Sequence, residues 1–269
     1  HMLNNITLGQ FYPADSVVHR LDPRAKIILL IAFIVAVFLV PDLIGFIPIV
    51  IFLAVACRAS TLPFKVLIKG LKPLRFILIF TFVLNLFFTA GTTPLLNLGF
   101  ATLTVEGTLN AVRFSLRLVF LVLGSSLLTL TTAPVTLTDG LERLLSPLSV
   151  IRFPAHEMAM MMTIALRFIP TLLEEADKIM KAQAARGADF ESGNLLKRAR
   201  AMVPLLVPLF VSAFRRAGEL AMAMEARCYH GGEGRTRLHI LKLEKRDYLA
   251  FLSMAVLIAL VVLESRLIA

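Results

Sequence analysis

Five apolar segments alternate with polar, charged segments along this sequence, and this alternation constrains the fold most. They lie at 27–40, 43–57, 76–88, 107–132 and 248–263, and the helix that contains the third segment is expected to start near Leu71. Of the 269 residues, 58% are hydrophobic and 17% are charged, and the mean hydropathy is +0.81, which excludes a water-soluble domain. The pattern predicts an all-α integral membrane protein with about five transmembrane helices.

The first two apolar segments are short. Each is about five residues shorter than the roughly 20 residues that a straight transmembrane helix needs. Pro23 favours a helix start at this residue or just after it, and Pro41-Asp42 forms a turn between the segments. We predict a short transmembrane hairpin in which flanking basic side chains reach the interface. A partly inserted hairpin is the alternative.

Basic residues indicate the orientation. The segment 58–75 contains five basic residues and no acidic one, which is typical of a cytoplasmic loop, whereas 89–106 contains neither Lys nor Arg. With a cytoplasmic N-terminus, every Lys and Arg except Arg113, Arg117 and Arg266 lies on the cytoplasmic side. The net charge of +10 then faces anionic lipid headgroups of the bilayer, and nucleic acid is a poor candidate partner.

Arg113 and Arg117 stand one turn apart near the outer end of the fourth apolar segment. They either extend to the outer interface or have a buried role against a partner protein. The distribution of apolar and charged segments divides the chain into three domains. These are an N-terminal lead with four transmembrane helices at 1–133, a cytoplasmic domain at 134–246, and a C-terminal transmembrane helix at 247–269.

The cytoplasmic domain carries mixed charge on a helical period, which predicts a layer of amphipathic helices at the membrane surface. We expect three helices, at about 137–146, 155–186 and 195–229. The two long helices each carry an apolar stripe with a period of three to four residues. Pro204 and Pro208 are expected to kink the last of them.

Each long helical pattern closes on an Ala-Arg pair in register with its apolar stripe, at Arg186 and at Arg227. The arginines complement the negative C-terminal end of a helix, or they present a planar group with many donors to carboxylates or carbonyls of a partner. The residues alone favour neither interpretation. Gly187 and Gly231 indicate the helix ends.

A methionine cluster opens the second cytoplasmic helix, at Met158, Met160, Met161 and Met162. Such a cluster is either ordinary core or an exchangeable contact surface, because methionine repacks at little cost. The two cysteines, Cys57 and Cys228, are far apart in sequence, so we expect neither a disulfide nor a metal site.

Catalytic patterns are missing from the sequence. It has no phosphate-binding Gly-rich loop, and His156-Glu157 lacks the second His ligand of a zinc protease. We therefore predict no catalytic residue, no metal and no bound cofactor. A self-contained channel or carrier is the alternative function, but it needs polar residues at mid-span, and only Asn85, Asn110 and the two outer arginines approach this requirement.

Several motifs together resemble the transmembrane coupling (T) component of energy-coupling factor (ECF) transporters, which are bacterial ABC-type uptake systems for vitamins and metal ions. The resemblance covers nearly the whole chain, and the motifs that carry it are Asp15-Ser16-x-x-His19-x-Leu21-Asp22-Pro23-Arg24-x-Lys26, Leu166-Arg167-Phe168-Ile169-Pro170, Ala182-Gln183-Ala184-Ala185-Arg186-Gly187 and Ala223-Met224-Glu225-Ala226-Arg227.

The resemblance implies a mechanism in the bacterial inner membrane. The two Ala-Arg motifs would end coupling helices that dock into two cytoplasmic ABC ATPases, which bind ATP and Mg²⁺. Their motion would reorient a separate substrate-binding membrane subunit, for which the methionines are a candidate contact at Met158, Met161 and Met162. The implied docking residues are Ala185, Arg186, Gly187, Ala226, Arg227 and Cys228. Cys228 departs from the family pattern, which has Gly there, so Gly231 is expected to set that helix end.

Overall fold

The structure, a computed structural model, describes residues 11–89, 94–97, 102–147, 154–188, 194–231 and 241–268. Within these ranges the chain is an all-α membrane protein with nine helices and one small two-stranded hairpin. The elements are α1 (Pro23–Leu39), α2 (Phe46–Ala59), α3 (Phe64–Lys69), α4 (Arg75–Phe88), β1 (Pro94–Asn97), β2 (Thr102–Thr104), α5 (Val105–Thr131), α6 (Pro134–Leu145), α7 (Ala155–Ala185), α8 (Leu195–Glu225) and α9 (Lys245–Ile268).

The chain divides into two compact units. One, here called the apolar unit, contains the described residues within Gly9–Leu141 and Ile240–Ala269. The other, here called the helix-pair unit, contains the described residues within Glu142–His239. The first boundary falls inside α6, so the apolar unit holds α1–α5 and α9, and the helix-pair unit holds α7 and α8.

The core of the apolar unit joins α1, α2, α5 and α9. Its buried side chains include Phe33, Val37, Ile49 and Val261. Gly124 on α5 allows α1 to approach closely, since a Cβ at residue 124 would lie 2.5 Å from the ring of Phe33. Small residues serve this purpose in membrane helix packing, where backbones come near one another.

Helix lengths and surfaces in the apolar unit fit a bilayer. Both α5 and the stretch Lys245–Arg266 of α9 are long and apolar enough to cross it, whereas α2 and α4 are shorter apolar helices. No residue of α4 is buried, and its Phe76 and Phe88 are 77% and 83% exposed. Water would not tolerate a helix with such a surface, but lipid chains cover it without cost.

Two features of the apolar unit differ from the sequence expectation. The third apolar helix was expected to begin near Leu71, but the chain forms the short helix α3, then turns, and α4 begins at Arg75. Gly70 and Pro73 separate the two helices, because proline restricts the residue before it and donates no hydrogen bond. The expected outer loop at 89–106 contains the antiparallel strands β1 and β2; its other residues from 90 to 101 lie outside the described ranges.

Arg113 and Arg117 contact their own chain, which neither sequence interpretation anticipated. Arg113 Nη2 donates to Asp42 Oδ1 at 2.8 Å, and Arg117 Nη2 donates to the Val40 carbonyl at 3.0 Å. The Arg117 guanidinium also lies 5.4 Å from the centre of the Phe38 ring, within the range of a cation–π contact. The two arginines therefore hold the α1–α2 turn against α5.

The helix-pair unit consists mainly of α7 and α8, and both run unbroken through their internal prolines. Arg216 on α8 donates to Glu175 on α7 at 2.8 Å. Just beyond the end of α8, the Tyr229 hydroxyl donates to Met160 Sδ at 2.9 Å. Because Tyr229 follows Arg216 in the chain whereas Met160 precedes Glu175, the two helices are antiparallel.

Candidate functional site

The end of α7 is closed by backbone hydrogen bonds around Gly187. The Gly187 amide donates to the Ala184 carbonyl at 2.9 Å, and the Ala188 amide donates to the Gln183 carbonyl at 3.0 Å. Gly187 has φ +91°. This combination is a Schellman motif, in which a left-handed residue satisfies the last carbonyls of a helix. Arg186 is the residue at its corner.

The end of α8 has the same bonding. The Cys228 amide donates to the Glu225 carbonyl at 2.8 Å, and the Tyr229 amide donates to the Met224 carbonyl at 3.0 Å. Cys228 holds the left-handed position with φ +55°, so the expectation that Gly231 sets this end was wrong. The hydrogen bonds fix the turn at residue 228 irrespective of its side chain, and Arg227 takes the place that Arg186 has in the first motif.

Both arginines face outwards at these ends. Ala185, Arg186 and Gly187 are exposed, and so are Ala226, Arg227 and Cys228. Within the described residues, neither guanidinium has a salt-bridge or hydrogen-bond partner, so both offer all their donors to solvent. Two solvent-exposed guanidinium groups on closed helix ends are suited to binding carboxylates or carbonyls of another molecule.

The two ends lie far apart on the pair. Tyr229 contacts Met160, so Arg227 lies near the beginning of α7, whereas Arg186 follows its last residue. At 1.5 Å per residue, the part of α7 from Met160 to Arg186 is about 40 Å long. The helix pair therefore presents two ends with the same pattern of backbone hydrogen bonds at opposite extremities.

A polar contact links α7 and α8 between these ends. The side chains of Arg216 and Glu175 are only 32% and 24% exposed, so water screens their ion pair less than a surface pair. The Ser212 hydroxyl and the Arg216 guanidinium hold the pKa of Glu175 below its ordinary value. The carboxylate is thus charged at neutral pH and fixes the two helices to each other.

Neither this ion pair nor the Tyr229 contact follows from local sequence patterns, because both join residues that are distant in the chain. No sequence signal indicates the Tyr229 contact, since the residue after the left-handed position of a Schellman motif usually packs on its own helix, whereas Tyr229 reaches Met160 on α7.

The methionines at the start of α7 differ in exposure. Met158, Met161 and Met162 are 39%, 62% and 44% exposed, whereas Met160 is partly buried and accepts the Tyr229 hydroxyl. The three side chains are thus not part of a core among the described residues. They form a flexible apolar surface beside the Tyr229 contact.

The N-terminal motif belongs to the apolar unit, whereas the two arginine ends belong to the helix-pair unit. Asp22 caps α1 and accepts two hydrogen bonds from the Arg24 side chain. The Asp22 amide donates to buried Asp247 at the start of α9, and Lys26 Nζ donates to the Thr131 carbonyl at the end of α5. The motif therefore joins the starts of α1 and α9 to the end of α5.

Two observations concern candidate metal ligands in the described ranges. They contain no group of three or more His, Cys, Asp or Glu side chains that could hold a metal ion. Both cysteines are free thiols there, with Cys57 partly buried and Cys228 exposed.

Comparisons with known proteins give the family. The model of the family described as CbiQ, cobalt transport protein, matches residues 14–238. A protein of Clostridium kluyveri is 55% identical over 97% of this chain and 97% of its own length. Another, of Bacillus subtilis, is 48% identical over 96% of this chain and 98% of its own length.

Both relatives bear the name energy-coupling factor transporter transmembrane protein EcfT, which agrees with the family that the sequence motifs resemble. The matches extend through α7, α8 and the two arginine ends. The chain therefore belongs to the CbiQ family, among the transmembrane proteins of energy-coupling factor transporters.

Proposed function

We propose that this chain couples ATP hydrolysis by two cytoplasmic ABC ATPases to the reorientation of a substrate-binding membrane subunit. The observation that carries the proposal is the pair of matching, exposed helix ends at Arg186 and Arg227. Two related ATPases offer two related docking grooves, and a chain that serves both needs two equivalent ends. The docking residues are Ala185, Arg186, Gly187, Ala226, Arg227 and Cys228.

The docking chemistry follows from the guanidinium group. Each arginine offers five N–H donors in a planar arrangement, which suits carboxylates and backbone carbonyls in a groove. The closed turn holds the backbone of each arginine in one position, so only the side chain has to be ordered on binding. ATP and Mg²⁺ bind to the ATPases in this proposal, and this chain is a non-catalytic subunit.

Force passes along the helix pair. Movement of either ATPase displaces the helix end docked in it, and the Glu175–Arg216 ion pair transmits the displacement between α7 and α8. Tyr229 joins the second docking end to Met160. The neighbouring Met158, Met161 and Met162 contact the substrate-binding subunit in this proposal, since flexible methionine side chains can keep apolar contact while the partner moves.

The proposed setting is the bacterial inner membrane. The N-terminus and the helix-pair unit lie in the cytoplasm, in agreement with the distribution of basic residues along the sequence. This orientation makes both arginine ends accessible to cytoplasmic ATPases.

Co-purification with the ATPases tests the docking. The chain is co-expressed with its two ATPases and a substrate-binding subunit, and assembly and ATP-dependent uptake in proteoliposomes are measured. Arg186→Glu combined with Arg227→Glu should abolish both, because each glutamate repels the carboxylates that the arginine attracts. Arg215→Glu is the control, since Arg215 is an exposed arginine on α8 outside either end.

The two single charge reversals measure the contribution of each arginine end separately. Each single reversal should weaken assembly by at least ten-fold, since the loss of one charged hydrogen-bonding group costs about 1.5–3 kcal/mol. Wild-type assembly and uptake in the double variant would show that the arginine ends are not the docking sites. Equal losses in Arg215→Glu would show that any charge reversal on the pair disrupts assembly.

A further inference from the structure

A groove on the apolar unit combines positive charge with apolar surface. It lies where α3, the following turn and the first turn of α4 meet, and its volume is about 340 Å³. Four exposed cations line it, namely Lys65, Lys69, Lys72 and Arg75. They recur every three or four residues, so the helical turns of this segment place them along one side.

These cations have no acidic residue near them in the sequence. The sequence has no Asp or Glu between Asp42 and Glu106. In the part of the chain that the structure describes, none of the four takes part in a salt bridge, whereas Arg20 pairs with Asp15 and Arg216 with Glu175. A groove with four unpaired cations attracts an anion.

The rest of the groove is apolar. Ile68, Leu71 and Leu78 complete its lining. Beyond it, α4 continues with the outward-facing side chains of Phe76 and Phe80, which are 77% and 53% exposed and stack on each other at a centroid distance of 6.2 Å. A ligand in the groove thus meets charge at one end and a hydrocarbon-like surface at the other.

We propose that this groove is a binding site for one anionic phospholipid. The phosphate lies among Lys65, Lys69, Lys72 and Arg75, and one acyl chain follows Leu71 and Leu78 along α4. An acidic protein surface would pair its carboxylates with the cations but would leave the apolar side of the groove without a partner. Because the exposed side chains of α4 beyond Arg75 are apolar, an anionic lipid, which has both a phosphate and hydrocarbon chains, is the occupant that suits both halves of the groove.

Native mass spectrometry of the full chain in detergent tests the site. The protein is titrated with phosphatidylglycerol or with phosphatidylcholine, and bound lipid is counted. The test variant carries Lys65→Gln, Lys69→Gln and Lys72→Gln together. A second variant has arginine at the same three positions, and a control removes three exposed lysines elsewhere through Lys178→Gln, Lys181→Gln and Lys242→Gln.

We expect the wild type to hold one phosphatidylglycerol more tightly than phosphatidylcholine. Each lysine near an anionic headgroup contributes about five-fold to binding, so the triple Gln variant should bind about a hundred-fold more weakly. The arginine variant and the control should bind as the wild type does.

Three results would overturn the proposal. The first is equal affinity for the two lipids, and the second is an equal loss in the triple Gln variant and in the control. The third is unchanged lipid binding in the triple Gln variant together with lost assembly with a membrane partner, which would mark the groove as a protein contact. None of these results depends on ATPase docking at Arg186 and Arg227.

Discussion

Replacing Gly187 by alanine tests whether the end of α7 depends on a left-handed residue. Gly187 has φ +91°, and a Cβ built there meets no atom within 4 Å. The added methyl group therefore clashes with nothing, and the cost comes from the backbone alone. For a residue with a Cβ this conformation costs about 1–2 kcal/mol, which glycine avoids.

Hydrogen exchange followed by mass spectrometry measures this cost locally in the detergent-solubilised chain. The amides of Gly187 and Ala188 donate the two hydrogen bonds of the Schellman motif. A loss of 1–2 kcal/mol raises the population of the open end by about 5- to 30-fold. We expect peptides that cover 183–188 to exchange faster by that factor, and peptides from the middle of α7 to be unchanged.

The same substitution at Gly218 is a matched control. Gly218 is an exposed residue inside α8, and a Cβ there also meets no atom within 4 Å. Because its conformation is helical, alanine should stabilise the helix by about 1 kcal/mol and slow exchange there. Unchanged or slower exchange around residue 187 in Gly187→Ala would refute the reasoning, since the left-handed turn would then not close the helix.

Two further predictions each concern one contact, the first inside the helix-pair unit and the second inside the apolar unit. Because the pKa of Glu175 is lowered, its contribution is present above its ordinary value of 4.5 and is lost as the pH falls through the lowered value. The melting temperature in detergent should therefore fall less on acidification in Glu175→Gln than in the wild type, and an equal fall in both would contradict the ion pair's role. Gly124→Ala should cost about 1–3 kcal/mol by forcing a Cβ against Phe33, and Phe33→Leu should restore the melting temperature. Wild-type stability of Gly124→Ala alone would exclude the close approach.

The helix bounds follow well from the sequence where proline and glycine mark the ends of a helix. The second cytoplasmic helix was predicted at 155–186, and α7 is Ala155–Ala185. Pro154 precedes it and Gly187 follows it, and these two residues favour the start and the end of a helix for separate stereochemical reasons. The predicted bounds of the fourth apolar helix, 107–132, likewise match α5 at Val105–Thr131.

Contacts between distant residues did not follow from local patterns. The pairing of Arg113 with Asp42 joins positions 71 residues apart, and no local pattern indicates that the α1–α2 turn reaches α5. The left-handed Cys228 was also unexpected, because cysteine has no preference for that conformation. Its conformation is imposed by the hydrogen bonds that close α8, as the equivalent bonds show at Gly187.

The placement of the two arginine ends, in contrast, is implied by lengths alone. α7 has 31 residues and is about 46 Å long, whereas the eight residues between Arg186 and Leu195 span at most about 29 Å when fully extended. The chain cannot return to the beginning of α7 over that distance, so α8 cannot run parallel and level with it. An α8 that packs along the whole length of α7 must be antiparallel, and its C-terminal Arg227 then lies near the opposite extremity of the pair from Arg186. The lengths do not determine the register of α8 along α7. The Glu175–Arg216 and Met160–Tyr229 contacts set that register.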